Sequence, residues 1–520
     1  MRRLTLTAMA AVTLAVPTVL AASPAAAAPT LDRTDKGAVA VAYQDFLPSL
    51  DVTPQWTGDT TRCVSGQHDM QPAAAIGTQS EASRQATFAA INFYRDMAGL
   101  QPVKERPGAS AIALQAALIM QESRALSHDP GRDWPCYSLQ GAYGASTSNL
   151  AIQSPWPKAE AAPGRAMAMY MDDFGPANQH VGHRRWLLYP PASEFGTGST
   201  ATANALKVIS EKQDNPRPSG ATTWPSAGYF PWEIMPTSNR WSYSLARTGE
   251  PSFANATVSV TLRGAPIAAT VVARDGLFGD PALVWEVTGL NPPQTGEVDT
   301  YTVRIAGVTR GPSNTPVPAV EYQVKAFKAA CTFGDVPPGL AFHREICWLS
   351  AMGISRGYED GTFRPVQPVN RDAMAAFMYR LAGSPAFDPK GRRTFTDVSP
   401  STPFYKEIEW LASTGISTGW VTPHGRRFHP YAPVNRDAMA AFLYRLHGSP
   451  SYTPPATSPF TDVRPSTQFY KEMSWLAAHG ISTGWPVGGG AEFRPVTPVN
   501  RDAMAAFMYR GHQKWGTPTP

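Results

Sequence analysis

The chain has 520 residues, a formal net charge of +5 and 43% hydrophobic residues. This length predicts three or more domains rather than one core. The small charge and the lack of a basic run argue against a nucleic-acid partner. The hydrophobic share argues against wholesale disorder, although the chain has 50 prolines.

Residues 1–27 have the pattern of a secretory signal peptide. Two arginines precede an apolar run, and small residues follow up to Ala25-x-Ala27. Removal of Arg2 and Arg3 would reduce the net charge from +5 to +3. We expect no transmembrane segment in the mature chain, because no other stretch is long and apolar enough to span a bilayer. Residues 28–77 are polar and mixed, and we expect an N-terminal extension without an assigned role.

The four cysteines fit an oxidising compartment. Cys63 and Cys136 lie in one half of the chain, and Cys331 and Cys347 lie in the other. We therefore predict the disulfides Cys63–Cys136 and Cys331–Cys347, while the sequence leaves the other connectivities open. Neither pair has the spacing of a zinc knuckle, so we do not expect a metal bound by cysteine.

The sequence of residues 78–210 predicts helices separated by loops. Thr78-Gln-Ser-Glu81 fits a capping box for a helix that ends at Gly99. A second helix is predicted over roughly 109–126, and a third contains AMAMYMDDFG. NQHVGHRRWLLYP follows this third helix.

Several short motifs in this part occur in a recognisable order. They are Asn92-x-x-Arg95-x-x-x-Gly99-Leu100-x-Pro102, then His128, then Asn149-Leu150-Ala151, then Gly182-His183-Arg184 before a tryptophan. The set resembles the CAP (SCP-like, cysteine-rich secretory) superfamily. The resemblance implies an α-β-α sandwich with a cleft that often holds two histidines and two acids, and that binds a divalent metal in some members.

On this resemblance His128 and His183 match the two cleft histidines, and Asp173 matches one acid. The other acid is replaced, because the chain reads Thr147-Ser148-Asn149-Leu150 where the family has Gly-Glu-Asn-Leu. His128, Asp173 and His183 could still hold a divalent metal such as zinc, with water completing the shell. The alternative is that the histidines are hydrogen-bonded cleft residues without a catalytic task.

The residues of this part allow three further interpretations. A Ser148–His128–Asp173 triad is disfavoured, because no G-x-S-x-G elbow frames the serine. His180 and His183 could share one helical face. The two arginines of the RRW sequence could brace the fold or contact an acidic wall polymer.

Residues 211–328 divide into two parts. Up to about residue 250 the sequence is rich in Pro, Gly, Ser and Trp and predicts an irregular bridge. Residues 252–328 contain short β-rich runs separated by turn residues, which predict a small antiparallel β-sandwich. We expect this sandwich to be a spacer or a lid packed on the preceding domain.

The decapeptide PVNRDAMAAF occurs three times, at 368–377, 433–442 and 498–507. Each copy belongs to a longer unit that opens with Phe-x-Asp-Val, so we predict repeats at 329–390, 391–455 and 456–520. Each unit is predicted to contain a helix, a glycine-rich loop and a second helix. Asn370 and its equivalents are expected to cap the free amides of the second helix.

These units resemble S-layer homology (SLH) repeats. The resemblance implies a three-fold pseudo-symmetric α-helical module that binds anionic cell-wall polysaccharide. Arg371, Arg436 and Arg501 would then bind the anion beside the free helix amides. The tryptophans of the units could stack on sugar rings, but most of them are predicted to lie in the core. The five candidates are Trp348, Trp410, Trp420, Trp475 and Trp485.

The sequence therefore predicts an α+β multidomain protein that is secreted and associated with the cell wall. Its repeats would bind a secondary wall polysaccharide and display a CAP-like domain that binds an unidentified ligand or a metal. The alternative is a metal-assisted extracellular hydrolase, a peptidase or wall-modifying enzyme, that uses the CAP-like cleft. The replaced acid favours binding over catalysis.

Overall fold

The computed structural model describes residues 31–66, 68–152, 161–209 and 212–519. The predicted signal peptide, residues 1–27, lies outside the described residues. None of the helices within these ranges is long and apolar enough to cross a membrane.

The helices of the described residues are α1 (Lys36–Phe46), α2 (Ala73–Ile76), α3 (Glu81–Met97), α4 (Pro107–Ser123), α5 (Leu139–Ser146), α6 (Pro163–Asp172), α7 (Gly182–Leu187), α8 (His343–Ala351), α9 (Arg371–Leu381), α10 (Tyr405–Ser413), α11 (Arg436–Leu446), α12 (Tyr470–Ala478) and α13 (Arg501–Trp515). The strands are β1 (Lys104–Glu105), β2 (Ser148–Ile152), β3 (Glu194–Ser199), β4 (Ala203–Lys207), β5 (Thr222–Trp224), β6 (Gly228–Pro231), β7 (Arg240–Ser244), β8 (Pro251–Ser252), β9 (Thr257–Leu262), β10 (Ala265–Ile267), β11 (Ala269–Asp275), β12 (Ala282–Val287), β13 (Asp299–Ala306), β14 (Thr309–Arg310), β15 (Thr315–Pro316), β16 (Val320–Phe327), β17 (Trp420–Thr422), β18 (Gly425–Arg427), β19 (Trp485–Val487) and β20 (Gly490–Glu492).

The first sheet has the strand order β1-β3-β4-β2, and helices lie against it. Its β2 residues Leu150 and Ala151 point into different apolar clusters, one shared with α4 and α5 and the other with α3 and α6. Gly196 and Gly198 allow α4 to lie directly on β3, because a Cβ at Gly198 would come within 2.1 Å of the Leu114 amide nitrogen. The sheet therefore carries buried side chains on two faces, as alternation along a strand requires.

Two boundaries predicted for these helices were wrong by a few residues. The N-cap of α3 is Ser80, whose hydroxyl accepts a hydrogen bond from the Ser83 amide, and not Thr78. Helix α4 begins at Pro107 and ends at Ser123, because proline suits the first turn and Arg124 takes a left-handed conformation. The end of α3 before Gly99 agrees with the prediction, and Gly99 has a φ of +73°.

The predicted irregular bridge at 211–250 was wrong, because three strands lie there. β6 pairs with β16 at the edge of the sheet β10-β9-β13-β16-β6, while β5 and β7 belong to the sheet β11-β12-β7-β5. The tryptophans that suggested an irregular loop belong to the core, since Trp224 and Trp241 are buried. Trp241 contacts Tyr301 of the other sheet with a ring separation of 5.6 Å.

The arginines that follow His183 brace the fold. Arg184 is fully buried and donates to the carbonyls of Met171, Asp172 and Arg240, the last at 2.7 Å. Arg185 donates to Asp275 Oδ1 and to the Asp280 carbonyl, both at 2.8 Å. Helix α7 is thereby attached to both β7 and the β11–β12 hairpin.

The N-terminal extension contains a helix that joins two cores. In α1, Val39, Ala40 and Phe46 belong to the core of the first two regions, whereas Val41 belongs to the core of the repeats. The Asp45 carboxylate pairs with Arg344 at 2.9 Å. Residues 36–46 therefore form a structural bridge, which the polar composition of 28–77 did not predict.

Both predicted disulfides are confirmed. Cys63 is bonded to Cys136 and Cys331 is bonded to Cys347. No free cysteine is present in the described part of the chain. The first bridge ties the N-terminal extension to the loop before α5, and the second lies within the first repeat.

Each repeat consists of a short helix, a loop and a second helix, and the three repeats share one apolar core. Backbone hydrogen bonds link them in a closed cycle, from the Val369 amide to the Val499 carbonyl, from Val434 to Val369, and from Val499 to Val434. These bonds are 2.8–2.9 Å long. The third repeat therefore contacts the first as directly as it contacts the second.

The aspartate of the Phe-x-Asp-Val motif holds the loop of its own repeat. The two Asp397 carboxylate oxygens accept from the amides of Phe428 and His429, each at 2.8 Å. Asp335 and Asp462 make the equivalent pairs of bonds in the other repeats. Burial would raise the pKa of Asp397, but these amide hydrogen bonds outweigh that effect and lower the pKa below 3.8.

We expect Asp397→Ala to lower the free energy of unfolding by about 2–3 kcal/mol at pH 7, because two charge-assisted hydrogen bonds are lost. A carboxyl with a lowered folded-state pKa stabilises the protein above the unfolded value of 3.8. The difference between wild type and variant should therefore shrink as the pH falls below 3.8. Calorimetric unfolding of the full chain at several pH values measures this difference in the free energy of unfolding.

The control is Asp388→Ala, at an exposed aspartate with one amide partner. An equal loss of stability in both variants would contradict the assignment.

Candidate functional site

The structure places His183 against a buried carboxylate. His183 Nδ1 lies 2.7 Å from Asp173 Oδ1, and Asp173 Oδ2 accepts from the Arg184 amide at 3.2 Å. The carboxylate is an acceptor, so Nδ1 donates to it. No hydrogen bond to Nε2 of His183 is found in the described chain.

His128 is held in a similar way by a backbone group. Its Nδ1 lies 2.8 Å from the Ala145 carbonyl oxygen, which can only accept, so Nδ1 again is the donor. His128, Asp173 and His183 all line one cavity of about 360 Å³. His128 and His183 also line a neighbouring chamber of about 400 Å³. The sequence therefore identified three residues that meet in one cleft.

Asp173 positions His183 through its two hydrogen bonds. Its side chain is fully buried, and both oxygens are engaged. Within the described residues no group of three or more His, Cys, Asp or Glu side chains is arranged to hold a metal ion. The imidazoles of His128 and His183 line the cleft beside this carboxylate.

Two supporting residues were missed by the sequence reasoning. The buried Tyr170 hydroxyl donates to Asn204 Oδ1 at 2.8 Å, and the Tyr170 ring stacks on His183 with centroids 5.5 Å apart. Burial raises the pKa of Tyr170 well above its ordinary value, so the hydroxyl stays protonated. Asn149 Nδ2 donates to the His183 carbonyl at 2.9 Å. The Asn149-Leu150-Ala151 motif was the available signal for this brace.

Contacts of Ser148 and His180 decide the remaining interpretations of the cleft residues. Ser148 Oγ has no hydrogen-bond partner among the described residues, so it forms no triad with His128 and Asp173. His180 precedes α7 and does not share a helical face with His183. Instead, its Nδ1 lies 2.6 Å from Asp275 Oδ2 of the β11–β12 hairpin.

The second candidate site lies between repeats. Arg371 is only 5% exposed, and its Nε donates to the Phe428 carbonyl of the next repeat at 2.7 Å. Its guanidinium carbon lies 4.3 Å from the centre of the Trp420 ring, a cation–π contact. Burial lowers the pKa of Arg371 to about 10, so the group remains charged at neutral pH.

The other two arginines repeat this arrangement. Each donates from Nε to the carbonyl of a buried phenylalanine and faces an aromatic ring of a different repeat. The pairs are Arg436 with Trp485 at 4.1 Å and Arg501 with Tyr358 at 5.0 Å. Trp420 and Trp485 are 48% and 36% exposed, whereas the other three candidate tryptophans are core residues: Trp348, Trp410 and Trp475.

The prediction of free amides at the start of the second helix of each repeat was wrong. Asn370 makes no side-chain cap, and the amides of Arg371 and Asp372 donate to the carbonyls of Ala432 and Pro430, both at 3.0 Å. The same pattern holds at α11 and α13. Another repeat supplies the caps, which a sequence cannot reveal because the partner lies about 60 residues away for α9 and α11 and more than 130 residues away for α13.

A groove of about 610 Å³ opens beside Arg501. Its lining includes Tyr358 and Arg364 of the first repeat, Phe404 of the second and Arg501 of the third. All three repeats therefore contribute to this groove. The arginine forms part of a surface that a ligand can reach.

Comparison with family models matches residues 88–210 to the cysteine-rich secretory protein family, CAP, and residues 332–375, 394–440 and 459–505 to the S-layer homology domain, SLH. The chain thus contains a CAP domain, of a type found in secreted proteins, followed by three SLH repeats. SLH repeats indicate anchoring at the cell surface or wall. A search of curated proteins found no match.

Replacing Arg371 by lysine should destabilise the protein by about 1–3 kcal/mol. Lysine keeps the charge, but it loses the fixed Nε donor and leaves the buried Phe428 carbonyl without its partner. Thermal unfolding of the full chain measures the loss. Arg393→Lys, at an exposed arginine of the same part of the chain, is the matched control, and equal stability of Arg371→Lys and wild type would show that the interface does not depend on guanidinium geometry.

Proposed function

We propose that this chain is an extracellular protein that its SLH repeats attach to anionic cell-wall polysaccharide. In this proposal the repeats form a three-fold pseudo-symmetric helical module with one arginine site at each repeat interface. The CAP domain is displayed at the surface and binds a small ligand or a divalent metal in its cleft.

The observation that carries the wall-binding proposal is the buried charge at each interface. Within the described residues, none of Arg371, Arg436 and Arg501 forms an ion pair with a carboxylate. Nε and Nη2 of Arg371 bond to the neighbouring repeat, and no hydrogen bond to Nη1 is found in the described chain. Asp397, Asp462 and Asp335 attract these arginines through space without contacting them, so the cost of burying each cation is only partly compensated. A bound carboxylate or phosphate would offset more of that cost with charge-assisted hydrogen bonds.

The exposed aromatic rings suit the non-ionic part of the same ligand. Trp420 and Trp485 lie over their arginines and keep an exposed face. An aromatic face can stack against the apolar side of a sugar ring. Three equivalent weak sites on one module would bind a polymer much more tightly than one site does.

The wall-binding test changes the rings rather than the buried arginines, because arginine variants also weaken the fold. We expect a Tyr358→Ala, Trp420→Ala, Trp485→Ala triple variant to bind isolated cell walls at least about tenfold more weakly than wild type. Co-sedimentation with walls that carry or lack their secondary polysaccharide measures the binding. The full chain is used, since α1 packs on the repeats.

The matched control replaces three exposed side chains at equivalent positions of the same repeats by alanine: Val366, Tyr431 and Val496. This variant should sediment as wild type does. Undiminished binding by the aromatic triple variant, or equal binding to stripped walls, would contradict the proposal.

In the CAP cleft, His128 and His183 would supply two ligands to a divalent metal such as zinc, one fewer than the three protein ligands usual at catalytic zinc sites, and water would complete the shell. Asp173 behind His183 is the kind of hydrogen-bond partner that orients a metal-binding histidine. A metal there would supply Lewis-acid chemistry. The residues themselves orient both imidazoles through hydrogen bonds at Nδ1.

One contact favours a second candidate function, a hydrolase. A histidine held by a buried aspartate can accept a proton from water, as a general base does. His183 with Asp173 has this arrangement at 2.7 Å. Hydrolysis of peptide or wall material that is lost in His183→Ala would favour this candidate over ligand binding alone.

Zinc titration by calorimetry tests the cleft. We expect His128→Ala and His183→Ala each to abolish measurable binding, and Asp173→Asn to weaken it about 10–100-fold, because the orientation of His183 is lost. His424→Ala, at an exposed histidine of the second repeat, is the control. Unchanged zinc affinity in the two cleft variants would rule out the metal-binding form of the proposal.

A further inference from the structure

The chamber beside the CAP histidines is built from two parts of the chain. Its inner wall carries His128, Ser148 and His183 from the CAP domain, and its outer wall carries Leu277 and Phe278 from the β11–β12 hairpin. We name it the hairpin chamber. Its volume of about 400 Å³ lies in the range of small-molecule pockets.

The hairpin is held firmly over the cleft. Arg247 Nη2 donates to the carbonyls of Gly276 and Gly279 at 2.8 and 2.6 Å. Asp275 bonds to both His180 and Arg185 of the CAP domain. These contacts hold the chain on both sides of Leu277 and Phe278 and keep the two residues beside the chamber.

The start of α7 is shaped to receive the hairpin. The Phe278 ring lies on Gly182, where an added Cβ would be 3.2 Å from the ring carbons. The Arg185 guanidinium lies 5.5 Å from the centre of the same ring. The glycine before His183 therefore makes room for Phe278 next to the cleft histidine.

The chamber has an apolar side and a polar side. Leu277 is 68% exposed and Ile209 is 40% exposed, and both line the chamber together with Trp186 and Phe278. The described lining includes no Asp, Glu, Lys or Arg side chain, and its ionisable groups are the imidazoles of His128, His180 and His183.

We propose that the hairpin chamber binds a neutral amphipathic small molecule, with its apolar part against Leu277 and Phe278 and its hydrogen-bonding end at the imidazoles of His128 and His183. The inference deepens the proposed function of the CAP cleft by naming a ligand class and a second binding wall. No hydrogen bond to Nε2 of either histidine is found in the described chain, so a ligand group can pair with it. The exposed apolar wall would be removed from water by the same ligand.

Nile red, a neutral apolar dye with hydrogen-bond acceptors, is the probe. We expect saturable, blue-shifted fluorescence with the full chain. Leu277→Asp should weaken the affinity at least about tenfold, because a charge replaces an apolar wall. Leu277→Met should bind as wild type does. Both changes are at an exposed position and leave the core intact.

Val421→Asp is the matched control, since Val421 is an 82% exposed apolar residue on the β17–β18 hairpin of the second repeat. It should leave dye binding unchanged. Absence of saturable binding, wild-type affinity in Leu277→Asp, or an equal loss in Val421→Asp would overturn the inference.

The same variants separate this inference from the proposed function. Leu277→Asp should keep wild-type wall sedimentation. If zinc binding is lost in His183→Ala while Leu277→Asp binds dye normally, the hairpin chamber is refuted and the cleft proposal stands. If Leu277→Asp alone loses dye and the histidine variants keep zinc affinity, the chamber is supported and metal binding is refuted.

Discussion

Hydrogen bonds at the start of each second repeat helix hold the C-terminal module together. The amides of Arg371 and Asp372 donate to carbonyls of the following repeat, and the same bonds recur at α11 and α13. A helix normally leaves its first amides unpaired or capped by its own side chains. Here the cap is a neighbouring repeat, so a single unit lacks partners for its own helix, and the three units close on one another.

This arrangement explains why the same ten residues occur three times. Val369 and its equivalents form the central cycle of backbone bonds, Arg371 and its equivalents reach into the next loop, and Met374 and Phe377 fill the shared core. Each position of the decapeptide has a contact across a repeat boundary or within the core. The loops between the copies face outward at β17–β18 and β19–β20, where the exposed residues Trp420 and Trp485 begin the hairpins, and their sequences differ freely.

The sequence was sufficient where the signal was local or repeated. Both disulfides, the helix–loop–helix form of the units and the meeting of His128, Asp173 and His183 follow from residue spacing and family resemblance. The larger misses have a common cause, which is a distant partner. The strands at 222–244 pair with residues far along the chain, and α1 bridges two cores although its flanks are polar. Short-range pattern carries no information on such pairings.

The Gly182-His183-Arg184-Arg185 sequence links the chemistry of the cleft to the region of two sheets. His183 faces the cleft, while the buried Arg184 and Arg185 donate to β7 and to the β11–β12 hairpin. Burial lowers the pKa of Arg184 to about 10, with the nearby Asp173 and Asp172 carboxylates partly compensating. A desolvated guanidinium keeps its place only while all its acceptors are in position. The orientation of His183 therefore depends on strands that follow the CAP match in the chain, and a CAP domain cut at residue 210 would lose the carbonyl and carboxylate acceptors that hold its cleft helix.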